Sequence, residues 1–231
     1  MFEKQPQNIR DTVKVLAEKS LAQSDPTGWF ETLYSQANQD TGQVPWANLK
    51  IHPYLQDWLD KSSLNTQNKS TKSTKSTLVV GCGLGDDAEA LQKLGLQVTA
   101  FDISPTAINW CKQRFPDSQV NYQVADLFNL PPEWNQAFDL VIEIRNIQAL
   151  PLNVRTEAIE LVASLVASKG KLVVITRFRN TDAEPEGPPW ALSEKELAQF
   201  QEFGLKEMGS QRFTEGDSQE VTKLWIEYSR D

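Results

Sequence analysis

Apolar residues in the first part of the chain recur three to four positions apart, the spacing of one face of a helix. Three such groups follow one another, beginning near Val13, Trp29 and Leu55, and aromatic residues are frequent among them. The pattern predicts three helices. We expect these helices to form an N-terminal cap over residues 1–64.

A polar segment follows the third predicted helix. Residues 65–76 contain no apolar side chain, and Lys-Ser-Thr occurs three times in succession from Lys69 to Thr77. Such a composition cannot bury a core, so we expect a solvated linker or loop. The segment marks a boundary, and residues 77–231 are predicted to form a second unit.

In this second unit, short apolar runs alternate with amphipathic helical segments. A long helix is predicted over residues 153–168, ending at Gly170. Alternation of this kind predicts a parallel sheet with helices on both faces. Five runs have the length of strands: 78–80, 98–101, 121–124, 138–144 and 172–175.

The end of the chain departs from this alternation. A helix is predicted over 193–203, and two strand-like runs, 205–213 and 222–228, follow it around the turn-forming residues 215–218. The two runs predict an antiparallel hairpin at the edge of the sheet. The predicted fold class is therefore α/β, with a Rossmann-like, doubly wound, mostly parallel seven-stranded sheet, an antiparallel C-terminal hairpin and the helical N-terminal cap.

Composition narrows the classes of function. A net charge of −8 argues against a nucleic-acid partner, because proteins that bind nucleic acids carry basic patches. No apolar run approaches the roughly 20 residues that cross a membrane, and the N-terminus lacks the apolar core of a signal peptide. Cys82 and Cys111 do not suggest a disulfide framework, and no metal-ligand spacing such as Cys-x-x-Cys occurs. We expect a cytoplasmic protein without a metal, monomeric or weakly dimeric.

The first predicted strand runs directly into a glycine-rich turn, Gly81-Cys82-Gly83-Leu84-Gly85. Glycines at alternate positions let the backbone approach a bound molecule closely, and such a turn after a strand is typical of nucleotide-like cofactors. The helix that follows begins with two carboxylates, Asp86 and Asp87, which would repel a pyrophosphate. The turn therefore predicts a cofactor that is cationic or free of phosphate.

Acidic residues also follow the next two predicted strands. Asp102 lies 21 residues after Gly81, where a carboxylate can accept hydrogen bonds from both ribose hydroxyls of an adenosine. Asp126 follows the third strand and can accept from the adenine amine, while Leu127 or Ile103 covers the ring. Each carboxylate alone has a plain alternative, since Asp102 also suits a helix N-cap and Asp126 a loop. Their order and spacing favour ligand binding.

The fourth predicted strand ends in Glu143 and Arg145. Glu143 is a candidate to contact the cofactor or to act as a catalytic residue, and the alternative is a buried structural carboxylate. Arg145 is a second catalytic candidate and could bind an anionic acceptor, although a surface ion pair is the alternative. The sole histidine, His52, lies outside the sheet region and is expected to be structural or exposed.

Together these motifs resemble those of class I S-adenosylmethionine-dependent methyltransferases, over about residues 77–231. The resemblance implies S-adenosylmethionine as the cofactor, with the glycine turn along its methionine part, Asp102 on the ribose and Asp126 on the adenine amine. This cofactor carries a sulfonium and an ammonium but no phosphate, in agreement with the acidic start of the helix. Four segments carry the likeness: Gly81-Cys82-Gly83-Leu84-Gly85, Phe101-Asp102-Ile103-Ser104, Ala125-Asp126-Leu127-Phe128 and Phe138-Asp139-Leu140-Val141-Ile142.

Further segments are similar to a narrower group, the small-molecule methyltransferases related to the thiopurine, halide and tellurite enzymes. The resemblance implies a cap that closes over the cofactor, and an acceptor pocket lined by Trp29, Trp46 and Trp190. Alternatively, these tryptophans only pack the cap against the sheet. The segments are Trp29-Phe30, Val44-Pro45-Trp46 and Gly187-Pro188-Pro189-Trp190-Ala191-Leu192-Ser193.

The predicted function is transfer of a methyl group from S-adenosylmethionine to a small-molecule acceptor by in-line displacement. The protein mainly supplies proximity and orientation, and a general base is needed only if the acceptor loses a proton. Two alternatives remain. One is an NAD(P)-dependent oxidoreductase, although Asp86 stands where the dinucleotide fingerprint has its third glycine. The other is a catalytically silent module that binds S-adenosylmethionine.

Overall fold

The computed structural model describes residues 7–62, 75–181, 183–185, 187–213 and 221–231. Seven α-helices and eight strands are found in these ranges. The helices are α1 (Gln7–Ala22), α2 (Gly28–Ala37), α3 (Pro53–Lys61), α4 (Asp86–Lys93), α5 (Pro105–Arg114), α6 (Arg155–Ser164) and α7 (Glu194–Glu202). The strands are β1 (Ser76–Val80), β2 (Gln97–Asp102), β3 (Asn121–Val124), β4 (Phe138–Ile144), β5 (Val166–Arg179), β6 (Leu192–Ser193), β7 (Leu205–Phe213) and β8 (Val221–Arg230).

The strands form one sheet in the order β3-β2-β1-β4-β5-β8-β7. Strands β1 to β5 are parallel, whereas β8 is antiparallel to both β5 and β7. The two-residue strand β6 pairs with the end of β5. The predicted fold class is confirmed, with β6 as an eighth strand that was not predicted. The order reverses between β1 and β4, which is where ligands bind in open α/β sheets.

Alternate residues of the central strands face opposite helical layers. Leu78 and Val80 of β1 pack into a core with α6 and α7, whereas Val79 packs into a second core with α3, α4 and α5. This two-residue alternation is the consequence of the strand's pleat. Both faces of the central sheet are therefore covered, and the carboxyl ends of its strands remain as the edge where polar groups meet.

Helix α3 packs on the sheet, unlike the other two helices of the predicted cap. The Trp58 indole of α3 donates a hydrogen bond to Glu227 of β8 over 2.8 Å, and the Trp225 indole of β8 donates to Asp57 of α3 over 2.7 Å. Each element thus supplies one indole and one carboxylate to the other. Only α1 and α2 are left to cover the strand ends.

Helix α2 is attached to the start of α5 by the Glu31 carboxylate. The hydroxyls of Ser104 and Thr106 donate to its two oxygens over 2.6 and 2.7 Å, and the Thr106 N–H donates over 3.2 Å. Behind these bonds, Trp29 and Tyr34 of α2 share an apolar core with residues of α1 and α5. We call this set of bonds the Glu31 clamp.

The helix predicted over 153–168 is wrong in its last four residues, 165–168. Helix α6 ends at Ser164, and strand β5 already begins at Val166, so Gly170 lies within the strand. Antiparallel pairing with β8 runs from Lys171 to Arg179, and parallel pairing with β4 begins at Val166. Partner strands on both sides therefore extend β5 well beyond the short apolar run at 172–175.

Two of the predicted segments lie outside the described residues: most of the Lys-Ser-Thr segment and the turn at 215–218. The boundaries at residues 64 and 76 stay predictions. Within the described ranges, no helix is both long enough and apolar enough to cross a membrane.

Candidate active site

Two adjoining cavities lie at the carboxyl ends of β1, β2, β3 and β4. The large cavity, of about 150 Å³, lies between the glycine turn, the cap and the segment after β4. The small cavity, of about 60 Å³, lies between the ends of β2 and β3. Their common wall consists of Phe30, Val80, Gly81, Asp102 and Asn146.

The glycine turn has left-handed backbone at Gly81, Gly83 and Gly85, with φ of 54°, 55° and 88°. A side chain at Gly81 would collide with the Asn146 amide, which donates to the Val80 carbonyl over 2.7 Å. Gly85 instead leaves room for Tyr122. Residues Gly81, Cys82, Gly83 and Leu84 line the large cavity, whereas Gly85 lines neither cavity.

The two carboxylates that follow the turn have different partners. Asp86 forms a two-point ion pair with Arg114, with both N–O distances at 2.8 Å. Asp87 accepts the His52 N–H over 2.6 Å and lines the large cavity together with His52. Burial raises the pKa of Asp87 to about 7, although the positive charge of Arg145 opposes this shift. Asp87 is thus a carboxylate of the large cavity whose pKa is raised into the neutral range.

Asp102 ends β2 on the wall shared by the two cavities. Its Oδ2 accepts the Gly83 N–H over 3.0 Å, and its Oδ1 accepts the Ser104 N–H over 2.9 Å. Burial raises its pKa to about 6, and the nearby charge of Glu31 acts in the same direction. These bonds hold the carboxylate between the glycine turn and the start of α5, so its orientation is fixed without a ligand.

The small cavity contains the residues predicted to surround an adenine. Asp126, Ile103 and Leu127 all line it, together with Ala125 and Phe128. The Asp126 Oδ1 accepts the Phe128 N–H over 2.9 Å. This largely apolar cavity, with Asp126 in its wall and Asp102 on the side shared with the large cavity, fits a flat ring that carries an amine.

Glu143 lies away from both cavities. It is fully buried, and its Oε1 accepts the N–H groups of Asn146 and Ile147 over 2.6 and 3.1 Å. Its Oε2 has no hydrogen-bond partner among the described residues, and burial raises its pKa to about 7. The geometry matches the structural alternative, in which Glu143 folds the turn that carries Arg145 and Asn146.

Arg145 lines the large cavity and has the left-handed φ of 66°. Such a backbone is uncommon for a residue with a long side chain and is found at functional turns. Its N–H donates to the Ile175 carbonyl over 2.9 Å, which fixes this turn to β5. Arg145, a candidate to bind an anionic acceptor, therefore lies in the wall of the large cavity.

Aromatic residues of the cap form the far side of the large cavity. Trp29 stacks on Phe30 at 4.0 Å between ring centroids, and the Trp46 indole donates to the Tyr34 hydroxyl over 2.7 Å. Trp29 and Trp46 line the cavity, as predicted for the acceptor pocket. Trp190 does not; its neighbours Pro188 and Pro189 take that place.

Several wall residues were not among the predicted site residues. Phe30, Asn146 and Gln148 all line the large cavity. Asn146 follows the fourth strand directly, so its position at a strand end could have identified it. Phe30 and Gln148 carry no such signal, because an aromatic residue in a helix and a neutral amide in a turn are common anywhere.

The donor set fits the implied cofactor. Described residues at the glycine turn offer backbone groups and carboxylates, and the nearby Arg114 is already paired with Asp86. The carboxylates beside this turn disfavour a phosphate, whereas they offer partners to a ribose, an ammonium and an adenine amine. Among the described residues, no three His, Cys, Asp or Glu side chains are grouped to hold a metal.

Comparison with known proteins identifies the family. The family model described as thiopurine S-methyltransferase (TPMT) matches residues 34–224, most of the chain. The chain belongs to the thiopurine S-methyltransferase family. Membership confirms the resemblance to class I methyltransferases and S-adenosylmethionine as the cofactor, and the matched range includes α3 and strands β1 to β7.

Curated relatives match a shorter part of the chain. The ubiquinone biosynthesis O-methyltransferase of Xanthomonas euvesicatoria pv. vesicatoria (strain 85-10) is 34% identical over 108 residues, which are 46% of this chain and 44% of the relative. That of Xanthomonas oryzae pv. oryzae (strain PXO99A) is 33% identical over the same shares. The match spans less than half the length of these relatives.

Solved structures share the fold of this family member at low identity. The N-methyltransferase NodS from Bradyrhizobium japonicum WM9, in complex with S-adenosyl-L-homocysteine, superposes with a TM-score of 0.62 at 19% identity, covering 86% of this chain and 98% of NodS. The 1,6-didemethyltoxoflavin-N1-methyltransferase of Burkholderia thailandensis gives 0.64 at 15%, covering 87% of each chain. The [4+2]-cyclase SpnF gives 0.67 at 13%, covering 89% and 96%. At these identities the likeness establishes the fold.

Proposed function

We propose that the protein transfers a methyl group from S-adenosylmethionine to a small-molecule acceptor. The observation that carries this proposal is the position of Asp102. Its carboxylate is buried in the wall between the two cavities and oriented by the Gly83 N–H. One ligand that extends from the small into the large cavity would pass it with a hydroxyl-bearing sugar, as an adenosine linked to an amino acid requires.

The residues that line the two cavities suggest which part of the cofactor each of them would bind. Asp102 would accept the ribose hydroxyls, and Asp126 the adenine amine, with Ile103 and Leu127 on the ring faces. The backbone of the turn from Gly81 to Leu84 would follow the methionine part in the large cavity. Gly85 and Glu143 have no part in this assignment, because both lie away from the cavities.

The acceptor would bind between the cap and the segment after β4. Trp29 and Trp46 supply apolar surface, and Arg145 supplies positive charge on the opposite wall. We propose that the cap, residues 1–64, and the sheet unit, residues 77–231, join here to enclose the acceptor. Trp190 supports this region indirectly, since its N–H donates to the Gln148 carbonyl over 2.8 Å.

S-adenosylmethionine, when bound, supplies a methyl group on a positively charged sulfur, which leaves as a neutral thioether once an in-line nucleophile forms the new bond. The chain's own residues then have to align the acceptor and exclude water. If the acceptor must lose a proton, Asp87 is the carboxylate to receive it, because it lines the cavity with a pKa of about 7.

Ligand-dependent stability tests the cofactor part of the proposal. S-adenosylhomocysteine at about 100 times its Kd should stabilise the protein by about 2.7 kcal/mol, whereas NAD and NADP should not. Thermal unfolding with each ligand measures this. Stabilisation by NAD or NADP alone would favour the oxidoreductase.

Methyl transfer itself separates an enzyme from a silent binding module. Label from S-adenosylmethionine should appear on at least one member of a panel of thiols, phenols, carboxylates and halides. Cofactor binding without transfer to any member would support the silent module.

We also propose that the protein is cytoplasmic, monomeric or weakly dimeric, and acts on free small molecules and not on nucleic acids. The net charge of −8 and the enclosed position of the large cavity support this.

A further inference from the structure

Gln148 lies in the wall of the large cavity, beside Ala149 and opposite the aromatic residues of the cap. It is 4% exposed, so almost all of the side chain is enclosed by protein. The residue belongs to the short helical turn Ile147–Ala149, which follows β4. Because buried polar side chains in proteins are almost always hydrogen-bonded, the partners of Gln148 show which of its polar atoms are already used.

Hydrogen bonds fix the orientation of the Gln148 amide. Its Oε1 accepts the Arg177 N–H over 2.7 Å, and the Thr176 hydroxyl lies 3.2 Å from the same atom. A backbone N–H can only donate, so the atom that faces Arg177 must be the oxygen. The nitrogen therefore points away from β5.

The Gln148 backbone is fixed as well. Its carbonyl accepts the Trp190 N–H over 2.8 Å, and Trp190 follows Pro188 and Pro189, which line the same cavity. The amide is thus held between β5 and the proline segment. Ligand binding would find it already oriented, which lowers the entropic cost of a hydrogen bond.

The Gln148 Nε2 donates no hydrogen bond to any described residue, and it is not among the fully enclosed unpartnered atoms. The large cavity, whose wall contains Gln148, is the open space next to this side chain. The amide nitrogen is therefore a hydrogen-bond donor available to a molecule bound there. The positive charge of Arg145 is on the same segment.

We propose that Gln148 is a specificity-determining residue that donates a hydrogen bond to an oxygen-rich group, such as a carboxylate, on the methyl acceptor. This inference rests on the proposed function. The group it binds is separate from the attacking atom, because a hydrogen bond donated to a nucleophile lowers its reactivity. The favoured acceptor is accordingly an apolar, ring-sized molecule with an anionic substituent beside its nucleophile.

Two thiols that differ by one carboxylate, 2-mercaptobenzoate and benzenethiol, test the assignment. Binding is measured by calorimetry on protein saturated with S-adenosylhomocysteine. Wild-type protein should bind 2-mercaptobenzoate about tenfold or more tightly than benzenethiol, as expected for a hydrogen bond to a charged group. In Gln148→Met this preference should fall several-fold, leaving the part that the charge of Arg145 supplies, and in Gln148→Glu it should fall further because that variant adds a negative charge.

Gln201→Glu is the matched control, because Gln201 is exposed on α7 and far from the cavity walls. It should keep the wild-type preference. Loss of affinity for both thiols in equal proportion would mean that Gln148 only supports the fold, and would overturn the assignment. An unchanged preference in both variants, or a wild-type protein that binds neither thiol or does not discriminate, would overturn it too.

The affinity for S-adenosylhomocysteine is measured first in every variant, because it distinguishes a failure of the proposed function from a failure of the role assigned to Gln148. Failure of the wild-type protein to bind it would overturn the proposed function, and the role of Gln148 would fall with it. Normal binding in all variants, without a change in thiol preference, overturns only the role of Gln148.

Discussion

Asp102 holds two backbone segments in place and also lies in the wall of both cavities. Its two oxygens accept N–H groups from the glycine turn and from the start of α5, over 3.0 and 2.9 Å. Each carboxylate oxygen has a further lone pair, and those are available to a ligand at the wall between the two cavities. A carboxylate in this position organises the turn before the cofactor arrives.

The variant Asp102→Asn should bind S-adenosylhomocysteine at least about tenfold more weakly, because a charged acceptor is lost and the amide nitrogen faces a backbone donor. Wild-type affinity should fall as the pH drops below about 6, where Asp102 becomes protonated, and this dependence should vanish in the variant. Calorimetry from pH 5 to 8 measures both effects. Asp117→Asn, an exposed control, should behave as wild type; a pH profile shared by Asp102→Asn would remove Asp102 from the site.

At the scale of residues, the sequence predicted which groups lie at the strand ends but not which way their side chains turn. Asp102 and Arg145 line the large cavity, whereas Glu143 is fully buried and bonds the N–H groups of its own turn. A shift of one position along a strand reverses the face, and strand ends in the sequence are uncertain by more than that. The sequence alone therefore did not show to which side of the sheet each of these side chains turns.

At the scale of elements, the Glu31 clamp is the polar connection between cap helix α2 and the sheet unit. Three hydrogen bonds converge on one carboxylate, and they lower its pKa although burial acts in the opposite direction. Ser104 links this clamp to Asp102, because its N–H bonds Asp102 and its hydroxyl bonds Glu31. The attachment of α2 to the start of α5 and the orientation of the Asp102 carboxylate thus depend on the same residue.

Replacing Glu31 by Gln should loosen helix α2 while the sheet stays folded, because one amide cannot accept all three donors as well as a carboxylate does. Amide exchange in residues 28–37 should accelerate by about fivefold, measured by hydrogen exchange and mass spectrometry. Glu18→Gln on α1, an exposed position, is the control. Equal exchange in wild type and Glu31→Gln would show that apolar packing alone holds the cap.

Element types were predictable where the pattern was local and long. The glycine turn, the acidic start of α4 and helix α7 all appear where the sequence indicates them, to within one residue at each end of α7. The extent of β5 was not predictable, since its ends depend on pairing with β4 and β8 across the sheet. The attachment of α3 to β8 through two indole–carboxylate pairs depends equally on long-range contacts.

At the scale of the whole molecule, buried carboxyl groups make stability depend on pH. Burial raises the pKa of Asp87 and Glu143 to about 7 and that of Asp102 to about 6. Unfolded Asp and Glu titrate near 4, so the folded protein binds more protons than the unfolded chain between about pH 4 and 7. The free energy of unfolding attributable to these groups therefore decreases as the pH rises through this window.

Glu143→Gln should be more stable than wild type at pH 8 and close to wild type at pH 5. Glutamine retains an acceptor for the Asn146 and Ile147 N–H groups but removes a buried charge, a difference on the order of 3 kcal/mol at most. Urea unfolding at both pH values measures it, with Glu133→Gln as an exposed control. Affinity for S-adenosylhomocysteine should be unchanged. A variant less stable at both pH values would contradict the interpretation of Glu143 as a strained buried charge.

The fold class and the cofactor could be derived from the sequence because a glycine turn and two carboxylates follow three successive strands in a fixed order. The acceptor side could not, since its walls come from distant parts of the chain, the cap and the segments around Gln148 and Pro188. No local pattern links those segments. These segments come close to one another only once the complete sheet has formed.

The common wall of the two cavities has a thermodynamic consequence. Phe30, Val80, Gly81, Asp102 and Asn146 each face both spaces, so a ligand in one space immobilises part of the surface offered to the other. By linkage, if the bound cofactor changes the affinity for the acceptor by some factor, the bound acceptor changes the affinity for the cofactor by the same factor. Donor and acceptor are therefore coupled partners of a single binding equilibrium.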